Sequence, residues 1–540
     1  MGVNDVLDNT KTYQVGRVTV RSAPIPYIPI CREAYMRTIH HYVNGTLFEG
    51  TSGQTQDVFC PSTGKVQAQV VLANKDDVNH AIAEAAKAQP AWGNTNPQKR
   101  IRVLNRWLQL ITENMDELAR TLALEHGKTF PDAKGDIQRG LDVVEFALGA
   151  PHLLKGEYST QVGTGIDTYS MRQPLGVVAG ITPFNFPAMI PLWKAGPALA
   201  AGNAMVLKPS ERDPSVPVRL AELFVEAGGP QGVLQVIHGG KEAVDAILDS
   251  EIIQAVGFVG STPIAQYIYS RAAETNKRAQ CFGGAKNHAI VLPDADIEAT
   301  ASAIVGAAFG SAGERCMALP VVVPVGQETA DKLAASIAEK ARALKVGHSL
   351  DPESDYGPLV TQDSLDRVNR IVTEGVEAGA SLLVDGREWT FADTSFDGES
   401  LAEGFYAGPT FFDNVTTDMD LYKVEIFGPV LAMVRTNTLE EATALATNHE
   451  YGNGVAIFTQ NGGAAREFAR NVQVGMVGIN VPIPVPIAYH TFGGWKASGF
   501  GDLNQHGPDS FRFYTKIKTV TQAWPQAEDA GPQFTMPLMN

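Results

Sequence analysis

"GVVAGITPFNFPAMIPLWKAGPALAAGNAMVLKPSER", residues 176–212, is the stretch that decides the fold. It opens on a short apolar run, "GVVAGI" (176–181), and closes on a second, "AMVLKP" (204–209), each bounded by glycine or proline, with a helical segment between them. The same texture continues in "GVLQVIHG" (232–239) and "QAVGFVG" (254–260). Short buried strands alternating with helices predict an α/β fold on a parallel, doubly wound sheet. Such a sheet receives ligands at the carboxyl ends of its strands, where this chain places "TPFNFP", "KPSER" and "GST". The stretch is also the most apolar in the chain, but Pro183, Asn185, Pro187, Pro191 and Pro197 interrupt it, which argues against a membrane span.

Upstream, "HHYVNGTLFEG" (40–50) reads as a hairpin with Asn44-Gly45 at its turn. Apolar residues recurring at three and four then predict helix over most of 76–150, broken near Pro97 and Pro131. Residues 1–38 read as an irregular extension. Downstream, "HAIVLP", "ALPVVVPVG", "ASLLVDG", "GPVLAMVRT", "GVAIFT" and "VGMVGIN" predict a second α/β domain from 289 to about 480. Cys316 falls early in it, near the cleft between domains. The polar "GREWTFADTSFDGESLAEG" (386–404) reads as a surface insertion, and "FRFYTKIKTVTQAW" (511–524) alternates like a strand able to pair with a neighbouring subunit.

With 540 residues, 44% of them hydrophobic and 19% charged, the chain can bury large cores. Its formal net charge of −16, from 59 acidic against 43 basic residues, argues against nucleic acid or an anionic membrane as partner. Cys31, Cys60, Cys281 and Cys316 stand far apart, with no CxxC and no histidine at ligand spacing, so no metal site and no disulfide framework is expected. "MGVNDVLDNT" carries two aspartates and no apolar core, which leads us to expect a cytoplasmic protein without a secretory signal.

"FVGSTPIA" (258–265) is a strand, a glycine turn and a helix start, the geometry that turns backbone N–H groups and a helix dipole toward a diphosphate. In "KPSER" (208–212) a lysine and a carboxylate three apart after a strand suit the two hydroxyls of an adenosine ribose, and the carboxylate disfavours a 2′-phosphate, pointing to NAD over NADP. The alternative for that stretch is a helix N-terminus capped by Ser210 with Glu211 in its first turn.

Together "TPFNFP", "LKPSERDPSVP", "FVGST", "GAKNH", "GSAGERCMA", "EIFGPV", "YGNGVAIFT" and "NVPIPVP" resemble the aldehyde dehydrogenase superfamily, and in detail its CoA-acylating methylmalonate-semialdehyde dehydrogenases, from about residue 40 to the closing "MPLMN". The resemblance implies two doubly wound α/β domains plus a β arm. The NAD-binding domain is expected over 39–156 and 177–285, the catalytic domain with Cys316 over 286–484, and an oligomerisation arm and tail over 157–176 and 485–540. Homodimers or homotetramers are implied, and the mitochondrial matrix is the alternative compartment. Cys316 matches the nucleophile that carries a thioester, and Asn185 the amide that, with the Cys316 N–H, stabilises the oxyanion. For NAD the resemblance implies Thr182, Phe184, Lys208, Glu211, Arg212, Ser261, Gly283 and Glu425. Arg139 and Arg315 match a pair that holds a substrate carboxylate, the alternative for Arg139 being a surface salt bridge. Such a substrate yields propionyl-CoA from methylmalonate semialdehyde, or acetyl-CoA from malonate semialdehyde, with NADH and CO2.

Hydrolytic relatives place a glutamate four residues before the lysine of their glycine-rich motif; in "CFGGAKN" that position is Phe282. A second glutamate of some relatives corresponds to Leu503. Phe282 cannot take a proton from water, so acyl transfer to CoA is expected over hydrolysis to the free acid, the competing reading. Further departures are Ala265 at the second glycine of the diphosphate turn, expected to loosen it, Lys194-Ala195-Gly196 in place of bulkier apolar residues, and Val424 where an acidic residue is common.

Overall fold

The computed structural model describes residues 37–524; Cys31, most of the expected extension at 1–38 and the closing "MPLMN" lie outside the described residues. The first sheet has eight strands in the order Gly499–Phe500, Arg278–Phe282, Ile253–Val259, Val177–Ile181, Ala204–Lys208, Leu234–Val236, His41–Val43, Thr46–Phe48. Its five central strands run parallel. The first of these in the chain, Val177–Ile181, lies mid-sheet with later strands on both sides, so the winding reverses between it and Ile253–Val259. A ligand crevice opens at such a reversal, and the two strands end there in Thr182 and in Gly260-Ser261. Asn44 (φ 52°) and Gly45 (φ 78°) make the two-residue left-handed turn of the expected hairpin.

The predicted helical region resolves into Lys75–Gly93, Pro97–Glu113, Met115–His126 and Phe130–Ala147. Asn96 caps the second with Pro97 behind it, and Gly127 ends the third at φ 97°. A further break at Asn114 was not signalled by a proline; its carboxamide donates to Leu110 O at 2.7 Å and closes the preceding turn. Two strands ahead of the helices, Gln54–Cys60 and Lys65–Leu72, were also unpredicted. Arg37–Ile39 pairs with the second of them, so the expected boundary at residue 38 falls inside a strand.

The second large sheet has seven strands, Ser381–Val384, Thr410–Asp413, Val430–Met433, Val321–Pro324, His288–Val291, Gly454–Phe458, Met476–Ile479. Six of these match the predicted runs, and the four-residue "TFFD" strand was not predicted. The 386–404 insertion folds in part as a small hairpin of Ser395–Phe396 and Glu399–Ser400. The arm consists of Tyr158–Gly163, Ile166–Pro174 and Thr515–Ala523. The strand expected in the tail forms as Thr515–Ala523; one edge pairs with Ile166–Pro174 of its own chain, and among the described residues its other edge pairs with no strand. The "FRF" ahead of it ends a helix, Gly507–Phe513, because Phe511 and Phe513 both turn into the core. Nor is 485–540 only arm and tail, since Gly499–Phe500 pairs with Arg278–Phe282 in the nucleotide sheet. Among the described residues no helix is long and apolar enough to cross a membrane, and no group of His, Cys, Asp and Glu could hold a metal ion.

Candidate active site

Cys316 follows a turn in which Ser311, Ala312 and Gly313 all have left-handed backbone, at φ 55°, 52° and 73°. Two consecutive non-glycine residues there cost roughly 1–2 kcal/mol each, so neighbouring contacts must impose the bend. At Gly313 the bend passes so close to Gly428 O that a Cβ would lie 2.3 Å from it, so only glycine fits. Beyond the bend the Cys316 carbonyl accepts hydrogen bonds from Asn287 Nδ2 and Asn453 Nδ2, both at 3.0 Å. Asn287 Oδ1 in turn accepts from Gly454 N at 2.9 Å. Residues immediately ahead of two adjacent strands of the seven-stranded sheet, His288–Val291 and Gly454–Phe458, thereby fix the Cys316 backbone, while its side chain packs against an apolar wall containing Met189, Trp193, Met317, Met476 and Phe492. Burial and the facing Glu425 carboxylate push the thiol up to about 12, and the N–H groups of Cys316 and Met317 and the Arg315 charge oppose that rise. Those N–H groups face the sulfur, where a developing oxyanion on a thiol adduct would also lie.

Asn185 sits in the loop between Val177–Ile181 and the Met189–Ala200 helix, buried, and its carboxamide caps no turn: it makes no hydrogen bond among the described residues. What is held is its backbone, the carbonyl accepting from Lys128 Nζ at 2.7 Å. Phe282 ends its strand buried, edge-on to Phe492 at 6.2 Å between ring centroids, and Phe492 lies tilted against Trp193 at 5.4 Å. Phe282 is thus part of an aromatic wall that continues through Phe492 and Trp193 into the cluster against which Cys316 packs. The carboxylate whose charge faces the thiol is Glu425, raised to about 7 by burial against the opposing Ala285 N–H, Lys286 and Arg367.

The residues expected to hold NAD line the sheet reversal. Lys208 Nζ bonds Glu211 Oε1 (2.5 Å), Pro209 O (2.8 Å) and Gly239 O (2.9 Å). The next helix begins only at Ser215, so the alternative of a helix capped by Ser210 is excluded. Thr182 N donates to Lys208 O at 3.0 Å, leaving the buried Thr182 Oγ1 without a partner. Phe184 meets Phe427 edge-on at 5.8 Å and Arg212 lies over its ring at 4.8 Å. Ser261 is exposed at the start of the Thr262–Glu274 helix, its hydroxyl making no cap bond. Across the crevice, a Cβ on Gly283 would come within 2.7 Å of Ala497 O, and one on Gly284 within 2.5 Å of Glu425 Oε2. A side-chain-free wall, an exposed helix start and a lysine–carboxylate pair fit a dinucleotide. Ala265 is fully buried in the core behind that helix, so its methyl group does not loosen the diphosphate turn as expected.

The two arginines are engaged separately. Arg315 Nη2 donates to Asp132 Oδ1 at 2.7 Å. Arg139 donates to Val485 O at 3.2 Å and lies 3.8 Å from Asp142, so the salt bridge weighed for it exists in weak form while its guanidinium borders the apolar wall. Cys281 is fully buried, its thiol pushed up to about 12 by burial, which fits a structural residue. Lys286 is spent on Val424 O at 2.7 Å. Sequence reading missed Asn287 and Asn453, although both stand in quoted motifs, and missed Asp132, Asp136 and Lys128, which no motif marks.

The aldehyde dehydrogenase family model matches residues 48–520. The chain is 52% identical over 505 residues to the malonate-semialdehyde dehydrogenase of Pseudomonas aeruginosa, covering 93% of this chain and 100% of that one. To the malonate-semialdehyde dehydrogenase of Halalkalibacterium halodurans it is 43% identical over 486 residues, 90% and 98% of the two chains. Among solved structures, a Sinorhizobium meliloti 1021 protein crystallised with NAD and provisionally named methylmalonate-semialdehyde dehydrogenase superposes with a TM-score of 0.90 at 55% identity, covering 92% of this chain and 100% of that one. The methylmalonate-semialdehyde dehydrogenase of Oceanimonas doudoroffii gives 0.88 at 52% identity, with 91% and 99% covered.

Proposed function

The chain belongs to the aldehyde dehydrogenase family, and on that premise we propose that it oxidises malonate semialdehyde and methylmalonate semialdehyde with NAD and delivers the acyl group to CoA, giving acetyl-CoA or propionyl-CoA and CO2. The Cys316 thiolate adds to the aldehyde carbon, while the Asn185 carboxamide and the Cys316 N–H receive the negative oxygen. Thr182, Phe184, Lys208, Glu211, Arg212, Ser261, Gly283 and Glu425 would hold NAD, which would supply the hydride acceptor; loss of hydride from the adduct leaves a thioester on Cys316. In that malonyl-type thioester the bond to the carboxylate breaks, and the electron pair enters an enolate stabilised by the thioester carbonyl before it takes a proton.

The observation that carries the CoA assignment is Phe282, buried in an aromatic wall where a hydrolytic relative keeps its base. With Glu425 assigned to the nicotinamide ribose, water then lacks the base that a hydrolytic relative keeps at this position. A thiol with a pKa of roughly 8.5 brings its own thiolate fraction near neutral pH. The test is NADH formation from each semialdehyde with and without CoA, with products identified by mass. Sustained turnover only with CoA, yielding the acyl-CoA, supports the proposal; steady NADH and free acid without CoA overturn it.

Arg139 and Arg315 are proposed to receive the substrate carboxylate. A hydrogen bond to a charged group contributes about 1.5–3 kcal/mol. Arg139→Gln is therefore expected to raise KM for the semialdehydes by roughly 10–100-fold while leaving propanal, which has no carboxylate, unchanged. An equal loss with propanal removes Arg139 from substrate binding.

A cytoplasmic homodimer or homotetramer is the proposed assembly. It is supported by the exposed apolar side chains of Val481, Ile487, Tyr489 and Ile517 and the unpaired edge of Thr515–Ala523. A monomer by light scattering would be against it.

A further inference from the structure

We infer that Lys128 and Asp136 are positioning residues for the oxyanion site: a fully buried ion pair that holds the backbone of the Asn185 loop, and through it aims the Asn185 carboxamide. The inference rests on the proposed role of Asn185 and adds the question of what holds that residue in place. The carboxamide makes no hydrogen bond among the described residues, so its direction is set by the loop that carries it. Lys128 Nζ donates to the Asn185 carbonyl at 2.7 Å and to Asp136 Oδ2 at 3.1 Å, and lies 4.3 Å above the Phe186 ring. Its three donors are thus directed at three groups, two of them on the loop. The other oxygen of Asp136 accepts from Met189 N at 2.7 Å, where the loop becomes the Met189–Ala200 helix. One ion pair therefore grips the loop at residues 185, 186 and 189.

Both side chains are completely buried. A pair of apolar residues would fill such a site with comparable or greater stability, so a buried ion pair is weak as a stability device and better explained by fixing one conformation. Its surroundings agree. Lys128 faces His126, Asp132, Asp213 and Glu314 next to the turn that bears Cys316; burial holds His126, Asp213 and Glu314 toward their neutral forms, while the Arg315 and Lys128 charges keep Asp132 ionised. Asp132 and Asp136 lie one turn apart on the Phe130–Ala147 helix, Asp132 holding the Arg315 beside the nucleophile and Asp136 holding the oxyanion loop. A single helix face thereby sets the two halves of the reaction centre relative to each other.

The test is a double-mutant cycle of Asp136→Asn with Asn185→Ala, reading kcat and the KM for NAD. In the native background Asp136→Asn is expected to lower kcat about 10-fold, with KM for NAD within about 2-fold of the parent; in the Asn185→Ala background it is expected to lower kcat no further. The same 10-fold loss in both backgrounds overturns the inference, because the pair would then act on something other than Asn185. If Asn185→Ala itself leaves kcat unchanged, the oxyanion reading fails and this inference with it, a result distinct from additivity. Should Asp136→Asn not fold by circular dichroism, Lys128→Met combined with Asp136→Leu removes both charges together, and the cycle is read on that variant by the same criteria.

Discussion

Replacing Cys316 with alanine reduces NADH formation from either semialdehyde by at least about 10⁴-fold, with or without CoA, because oxidation itself proceeds through the covalent adduct. NAD binding, followed by fluorescence, stays close to that of the parent, since the crevice of Lys208, Glu211 and Ser261 does not include the thiol. Stability changes little as well. The Cys316 backbone is fixed through its carbonyl by Asn287 and Asn453, and those bonds survive loss of the sulfur. Retention of more than about 1% of the parent rate would mean that hydride leaves an adduct formed elsewhere, and the site as described would be wrong. With burial and Glu425 pushing the thiol up to about 12, the sign of the pH effect is also fixed. The thiolate fraction of the ligand-free enzyme grows with pH throughout the neutral and mildly alkaline range, so alkylation of Cys316 by iodoacetamide accelerates by roughly tenfold per pH unit from 7 to 9. A plateau below pH 8 would show that the resting thiol is already activated.

Where the chain's chemistry is local, it was legible. The apolar runs at 177–181 and 204–208 are buried at every position and 253–259 at five of seven, and burial on both faces leaves a continuous apolar run in the sequence. Thr182, Lys208, Glu211 and Ser261 follow those strands directly, so placing the strands placed the crevice. Lys128 and Asp136 escaped notice for the opposite reason. In a stretch of helical periodicity polar residues read as solvent-facing, and only the tertiary fold turns both inward toward a loop some 57 residues away. Arg315 and Asp132 are separated by 183 residues, and no spacing rule reaches that far. The same holds for Gly499–Phe500, a two-residue strand that joins the nucleotide sheet at its edge, where pairing is decided by register rather than by apolar content. The absence at Phe282 was legible only by comparison with a motif; its burial against Phe492 gives it a physical reason, because an aromatic ring there completes a wall that a carboxylate would have to enter uncompensated.

That reasoning makes Phe282→Glu the substitution expected to change the reaction itself. The position ends a strand of the eight-stranded sheet and its ring meets Phe492, a member of the apolar cluster against which Cys316 packs, so a glutamate introduced there is expected to reach toward the pocket that receives the thioester. Burial disfavours its charged form and raises its pKa from about 4.3 toward neutrality, the range in which a carboxylate works as a general base. Glutamate is also smaller than phenylalanine, which leaves space for the water it must activate. A positioned base contributes roughly 10²–10⁴-fold, so CoA-independent steady turnover is expected to rise by about 10²-fold or more, with the free acid as product. Phe282→Gln provides the control: it has nearly the same shape, opens the same space and cannot accept a proton. Both variants are expected to lose about 1–3 kcal/mol of stability from placing a polar group in an aromatic wall. A difference between them in CoA-independent rate therefore isolates the base. If Phe282→Glu and Phe282→Gln release free acid at the same slow rate, the missing carboxylate is not what directs the acyl group to CoA, and the selectivity must come from how CoA itself is bound.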